Sequence, residues 1–139
     1  MSEQAIGVDK LQELINRGPF NKWLNFMILK SDKDGVELKA AWREEWVVNV
    51  ERRYTHGGIL AAIVDVAADY AIAAQLGRPV PTIDIRVDYH KAAMPGDITA
   101  KARVVRSGSQ YSTAEAYLYD KDGALVASGR GTYFTAPPK

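Results

Sequence analysis

The sequence predicts an α+β fold in which one antiparallel sheet wraps around one long central helix. Three observations predict it. Residues 57–76 give the longest helical signal, rich in Ala and apolar on nearly every side except at Asp65, Asp69 and Gln75. A helix of that kind is wrapped by other elements. Four later runs alternate apolar and polar residues with strand period, each bounded by turn residues. Strands joined by short turns pair antiparallel, so the four make one sheet against the helix. Such a sheet covers the helix on one side only, and the uncovered side predicts self-association.

The elements follow in order. Val8–Arg17 carries Leu11, Leu14 and Ile15 at helical spacing, with Asp9 as the expected N-cap. Gly18-Pro19 breaks it. Phe20–Leu29 sets Phe20, Trp23, Leu24 and Met27 on one face and reads as a second short helix. Ser31–Gly35 is a turn cluster. Val36, Leu38, Ala40 and Trp42 alternate as a strand, Glu45–Val50 reads as a second extended piece, and the basic loop Arg52–Thr55 follows. The long helix stops at Gly77, with Pro79 and Pro81 beyond it.

The strand-like runs are Thr82–Tyr89, Ile98–Arg106, Tyr111–Tyr119 and Ala124–Phe134. Ile83, Ile85, Val87 and Tyr89 share one face of the first. Met94–Asp97, Ser107–Ser109 and the hairpin signature Asp120–Gly123 separate the four, and residues 136–139 form a tail. Residues 1–34 are thus an expected helical segment packing on a domain of residues 35–135, one domain overall.

Composition excludes several function classes. The chain has 139 residues, 18 basic and 17 acidic, for a net charge of +1, which gives no electrostatic footprint for nucleic acid. There are no cysteines, hence no disulfide, thiol nucleophile or cysteine-ligated metal. Only two histidines are present, so no protein-ligated zinc is expected. No run is read as approaching the ~20 continuous apolar residues that cross a bilayer. The start Met-Ser-Glu-Gln-Ala-Ile lacks the marks of a signal peptide. The expectation is a soluble cytoplasmic protein with no resident cofactor and no membrane partner.

The chemistry concentrates at the start of the long helix. His56-Gly57-Gly58 opens it, and helix N-termini leave backbone N–H groups free for an incoming oxygen. Asp65 lies between Val64 and Val66; a carboxylate in apolar surroundings is costly unless it has partners or a task. An N–H donor for a developing oxyanion and a carboxylate are the parts acyl transfer needs. Asp69, one turn on, projects from nearly the same face as Asp65 and is expected to support it or to pair with a basic residue such as Arg53. No Gly-x-Ser-x-Gly elbow exists, so a serine triad is not supported. Gly57 and Asp65 are eight residues apart, hence about 80° around the axis and about 12 Å along it. Two antiparallel helices, each Asp65 facing the other's Gly57, would unite them.

Three segments resemble the hotdog fold, and most closely its acyl-CoA thioesterases of the phenylacetate-pathway PaaI type. They are His56-Gly57-Gly58 with Asp65 nine residues after the His; Thr82–Tyr89 followed by Lys91-Ala-Ala-Met-Pro-Gly-Asp97; and Gly123–Phe134. The resemblance covers about residues 35–135. It implies two subunits joined in a continuous sheet with active sites between them. There Gly57 N–H polarises the thioester carbonyl, Asp65 of the facing subunit acts as base or nucleophile, and Thr82 assists water. His56 orients local backbone. The chain departs from the family in carrying Val50 where many relatives have Asn, Arg53 where they have Gly, and an additional Asp69; Asn49 is one residue off the usual Asn.

Gly58, Asp69, Arg53, Lys91, Arg106, Ser107, Gly108 and Ser109 are expected contacts for substrate or for coenzyme A phosphates, with Arg52 and Arg103 comparable. Phe20, Trp23 and Met27 are candidates for an acyl pocket, and His90 for a rim position. The predicted activity is hydrolysis of a small, medium or aryl acyl-CoA by a homodimer or a dimer of dimers. A hotdog hydratase or dehydratase and a non-catalytic acyl-CoA-binding module are the alternatives.

Overall fold

The protein is described by a computed structural model covering residues 5–138. The first four residues of the chain's polar start and the last residue of its tail lie outside the described residues. Six strands form one antiparallel sheet: β1 (Phe26–Asp32), β2 (Gly35–Ala40), β3 (Thr82–Tyr89), β4 (Ile98–Arg106), β5 (Tyr111–Tyr119) and β6 (Leu125–Phe134). Their order across the sheet is β1-β2-β4-β5-β6-β3, so β1 and β3 are the edges. Helices α1 (Val8–Ile15) and α2 (Pro19–Leu24) precede the sheet, and α3 (Gly57–Leu76) lies against it.

Helix α3 has the predicted bounds because both ends are chemically specified. His56 caps its start and Gly77, at φ 83°, closes it in the left-handed conformation glycine tolerates. Leu60, Ile63, Val64, Ala67, Ala71 and Ala74 are buried against inward-facing Leu38, Ala100, Ala114, Ala116 and Leu118. Small residues on both surfaces bring helix and sheet close. At Gly129 of β6 an added Cβ would lie 2.6 Å from a methyl of Val64, so glycine there marks the crossing. By length and apolar composition α3 is long enough to cross a membrane, contrary to the sequence expectation, although 56% of its most apolar window is buried inside the fold.

Three other expectations are corrected. Residues 26–29 are strand, not helix: Asn25 sits at φ 56° and ends α2, so the chain turns into β1, with Phe26 and Ile28 inward and Met27 and Leu29 outward. The first 34 residues therefore supply an edge strand as well as two helices. Glu45–Val50 is not extended. Glu44–Trp46 is a single 3-10 turn that buries Trp46, followed by one isolated bridge between Val47 and Thr55. The N-cap of α1 is Gly7, without a side-chain cap, and Asp9 sits in the first turn.

Helix α1 packs on β1 through Leu11, Leu14 and Ile15, all buried. Its Gln12 lies along the outer edge of β1. The side-chain amide donates to the Phe26 carbonyl at 2.9 Å, and Gln12 Oε1 accepts from Ile28 N–H at 2.8 Å.

Candidate active site

The predicted residues separate into two clusters at opposite ends of β3. The first surrounds the start of α3. His56 N–H donates to the Trp46 carbonyl at 2.7 Å, which fixes the loop, and His56 Nδ1 accepts from Gly58 N–H at 2.7 Å. The imidazole thus holds backbone. Among the described residues, Gly57 N–H has no hydrogen-bond partner. It is the first N–H of a 20-residue helix, where the helix dipole favours negative charge.

Tyr89, the last residue of β3, reaches this cluster. Its hydroxyl donates to the Gly57 carbonyl at 2.8 Å, and a Cβ on Gly57 would stand 3.3 Å from its ring. At Gly58 a Cβ would stand 2.9 Å from the His56 ring. Both glycines therefore have a packing reason as well as a chemical one. A cleft of about 440 Å³ opens beside Gly57, lined by Tyr54, Leu60, Tyr89, His90 and Lys91 among others.

The second cluster holds Asp65. Thr82 Oγ1 donates to Asp65 Oδ1 at 2.8 Å, and the Tyr133 hydroxyl lies 3.0 Å from the same oxygen and 3.1 Å from the Asp65 backbone carbonyl. Thr82 and Tyr133 are cross-strand neighbours in β3 and β6, which is why both reach one carboxylate. Burial, then the charge of Asp65, push the Tyr133 phenol well above its ordinary value, so it stays protonated as a donor. Asp69, one turn further, accepts from Val80 N–H at 3.0 Å and ties the approach to β3 onto the helix. Its carboxyl is raised to about 7: burial dominates, the Val80 N–H opposes it, and the charge of Asp65 adds to it.

The remaining candidates are divided between the two ends. Arg53 does not pair with Asp69; its guanidinium makes two hydrogen bonds to Glu44, at 2.7 and 2.8 Å. Its backbone is left-handed, φ 63°, a conformation that glycine adopts more easily than arginine. Asn49 Oδ1 accepts from the N–H groups of Glu51 and Arg52 and so shapes its own loop, while Val50 points to solvent. Lys91 stands at the Gly57 end, 3.7 Å from Asp120. Arg106 and Ser107-Gly108-Ser109 stand at the Asp65 end, where Gly108 N–H donates to Ser112 Oγ and the Thr135 hydroxyl donates to the Gly108 carbonyl. The basic candidates thus do not gather at one place in a single chain.

Arg103 lies in mid-strand on the outer face, 2.6 Å from Glu115, which also bonds Arg130 at 3.1 Å. Phe20 and Met27 are exposed, and Trp23 stacks on Phe20 beneath Arg43; none of the three lines the clefts beside Gly57 and His56. His90 is exposed and meets Ser128 Oγ at 2.8 Å. Tyr89 and Tyr133 are the members of the two clusters that sequence reasoning missed. The available signal was glycine at alternate positions 129 and 131 of a strand, which marks a close approach.

A family profile described as "Thioesterase superfamily" matches residues 53–127. The medium/long-chain acyl-CoA thioesterase YigI of Salmonella typhimurium is 28% identical over 131 residues, 83% of this chain and 84% of that protein. A solved protein described as from the thioesterase superfamily is 47% identical and superposes with a TM-score of 0.90, covering 91% of this chain and 96% of that one. The Escherichia coli PaaI protein of the phenylacetic acid degradation operon shares the fold, with a TM-score of 0.80 at 20% identity, covering 95% of this chain and 97% of its own.

Proposed function

Because this chain belongs to the thioesterase superfamily, we propose that it hydrolyses acyl-CoA thioesters at two sites, each shared between two antiparallel copies. It is a thioester hydrolase. The observation that carries the shared site is the separation of its halves. Gly57 bonds Tyr89 at one end of β3 and Asp65 bonds Thr82 at the other, and Gly57 and Asp65 stand about 12 Å apart along α3. Strand β3 is a sheet edge, with Ile83 57% and Tyr89 55% exposed. An antiparallel second copy on that edge brings the partner's free N–H toward Asp65 and joins the two sheets. Pairing of two such dimers is part of the same reading, and light scattering tests it.

The chemistry follows from the two clusters. Gly57 N–H donates to the thioester carbonyl oxygen and to the oxyanion it becomes, a donor worth about 3–4 kcal/mol in the transition state. Asp65 supplies the attack. As a base it takes a proton from water held with Thr82, the hydroxide adds to the acyl carbon, the C–S bond breaks, and the thiolate recovers the proton. As a nucleophile it forms a mixed anhydride that water then opens. A single turnover in ¹⁸O-water that leaves an enzyme oxygen in the first product identifies the anhydride route, with water opening the anhydride at the Asp65 carbonyl. Coenzyme A enters only as part of the substrate, and the setting is cytoplasmic.

Medium-chain thioesters are the proposed substrates. They satisfy both the sequence expectation and the named activity of the YigI relative. A cleft lined by Val47, Val48 and Ile59 beside His56 and Gly58 offers an acyl chain an apolar surface. The test is thiol release from a panel of acyl-CoAs, with no protein cysteine to contribute background. Turnover peaking at medium chain length is expected. Binding without turnover, or water addition to an enoyl-CoA, defeats the proposal.

A further inference from the structure

We infer that Tyr133 is a positioning residue for Asp65: with Thr82 it fixes Oδ1 of the carboxylate and leaves Oδ2 as the oxygen that meets water or the acyl carbon. This rests on the thioesterase reading above. Two hydroxyls converge on Oδ1, from Thr82 at 2.8 Å and from Tyr133 at 3.0 Å. Among the described residues, no hydrogen bond is made to Oδ2. The Tyr133 side chain is fully buried, so water does not compete for its hydroxyl. That hydroxyl is also 3.1 Å from the Asp65 backbone carbonyl, which sets the carboxylate's direction relative to its own helix.

The fold has made room for this contact. Tyr133 leans back along β6 over Gly131, and a Cβ at Gly131 would overlap the phenol ring and its oxygen. Any other residue at 131 would push Tyr133 away from Asp65. The strand therefore carries a paired device, a glycine that admits the ring and a tyrosine that holds the carboxylate. A carboxylate held by one oxygen cannot turn, and a reacting group displaced by even 1 Å loses about 100-fold in rate.

Tyr133→Phe removes one oxygen and keeps the ring. Its kcat is expected to fall about 10- to 100-fold while KM stays within about 2-fold, because the acyl and CoA contacts are untouched. Thr82→Ala and Tyr133→Phe each release the same oxygen, so the double variant should lose less than the product of the single losses. Crystals of Tyr133→Phe should show the Asp65 carboxylate in more than one orientation. A wild-type protein that turns over, with an unchanged kcat in Tyr133→Phe, overturns the role of Tyr133 and leaves the thioesterase reading standing. A wild-type protein that cleaves no thioester overturns that reading instead. The Asp65 orientation in the variant then still judges Tyr133, and a single fixed orientation counts against it.

Discussion

The two ends of β3 build the proposed half-sites from different materials. At the Gly57 end the functional group is backbone: a helix start, two glycines and a histidine two residues from the N–H it accepts. At the Asp65 end the functional group is a side chain held by hydroxyls from Thr82 and Tyr133, 17 and 68 residues away. The first half takes its N–H groups from the helix itself, with Trp46 and Tyr89 bracing it. The second exists only when β3 and β6 are in register. An enzyme that places its oxyanion donor locally and its carboxylate by tertiary contacts can tune the second without disturbing the first.

The sharpest way to break this comparison is to disable each end separately. Asp65→Asn should lower kcat by about 10²- to 10⁴-fold with little change in KM. Gly57→Pro deletes the N–H at the first helical position, where the proline φ fits and His56 has the backbone a following proline requires, although its Cβ makes the Tyr89 ring give by a few tenths of an ångström. It should cost about 10²- to 10³-fold. Co-expressed with different tags and purified as the mixed dimer, the two variants regain one intact site, hence roughly half of wild-type turnover. Sites confined to single chains would give no recovery.

Asp69 sharpens the comparison through stability. Its carboxyl ionises near 3.8 when unfolded and near 7 when folded. Between those values the unfolded chain holds fewer protons, so this group's contribution falls as pH rises from about 4 to about 7 and stays low above. Asp69→Asn keeps an acceptor for Val80 N–H and removes the titration. Its melting temperature should exceed wild type by about 3–6 °C at pH 8 and match it near pH 4; an equal gain at both would show that charge is not the cause. The smallest effect is expected at Arg53, whose left-handed backbone and exposed ion pair with Glu44 act in opposite directions. Arg53→Gly should move the melting temperature by less than about 2 °C.

What the sequence disclosed follows the same division. The bounds of α3 and of β3, β4 and β5 were legible because caps, turn residues and alternation are local signals. Strand β1 was not. Phe26-Met-Ile-Leu29 is a continuous apolar run, and Phe20, Trp23, Leu24 and Met27 mimic helical spacing; the left-handed Asn25 that divides them has no apolar signature. The capped start of α3 was readable as the motif His56-Gly57-Gly58. At the Asp65 end the sequence offered a carboxylate in apolar surroundings and, through the resemblance, Thr82; the contact from Tyr133 was hidden because it depends on strand register. The basic residues expected to gather divide between two ends, since neighbours by strand-end in sequence need not share an end of the sheet.

Gln12 bears on how far assembly can proceed. The sheet has two edges, and each is an invitation to any extended backbone. On β1 the Gln12 amide stands in for a neighbouring peptide group at Phe26 and Ile28, and the pairing register breaks just beyond, between Ile28 and Lys30. A copy with two open edges could add partners without end and grow as a fibre. With β1 stoppered, β3 is the one edge left for the pairing proposed above. One glutamine on a short helix thus leaves edge-to-edge growth of the sheet a single open side, at β3.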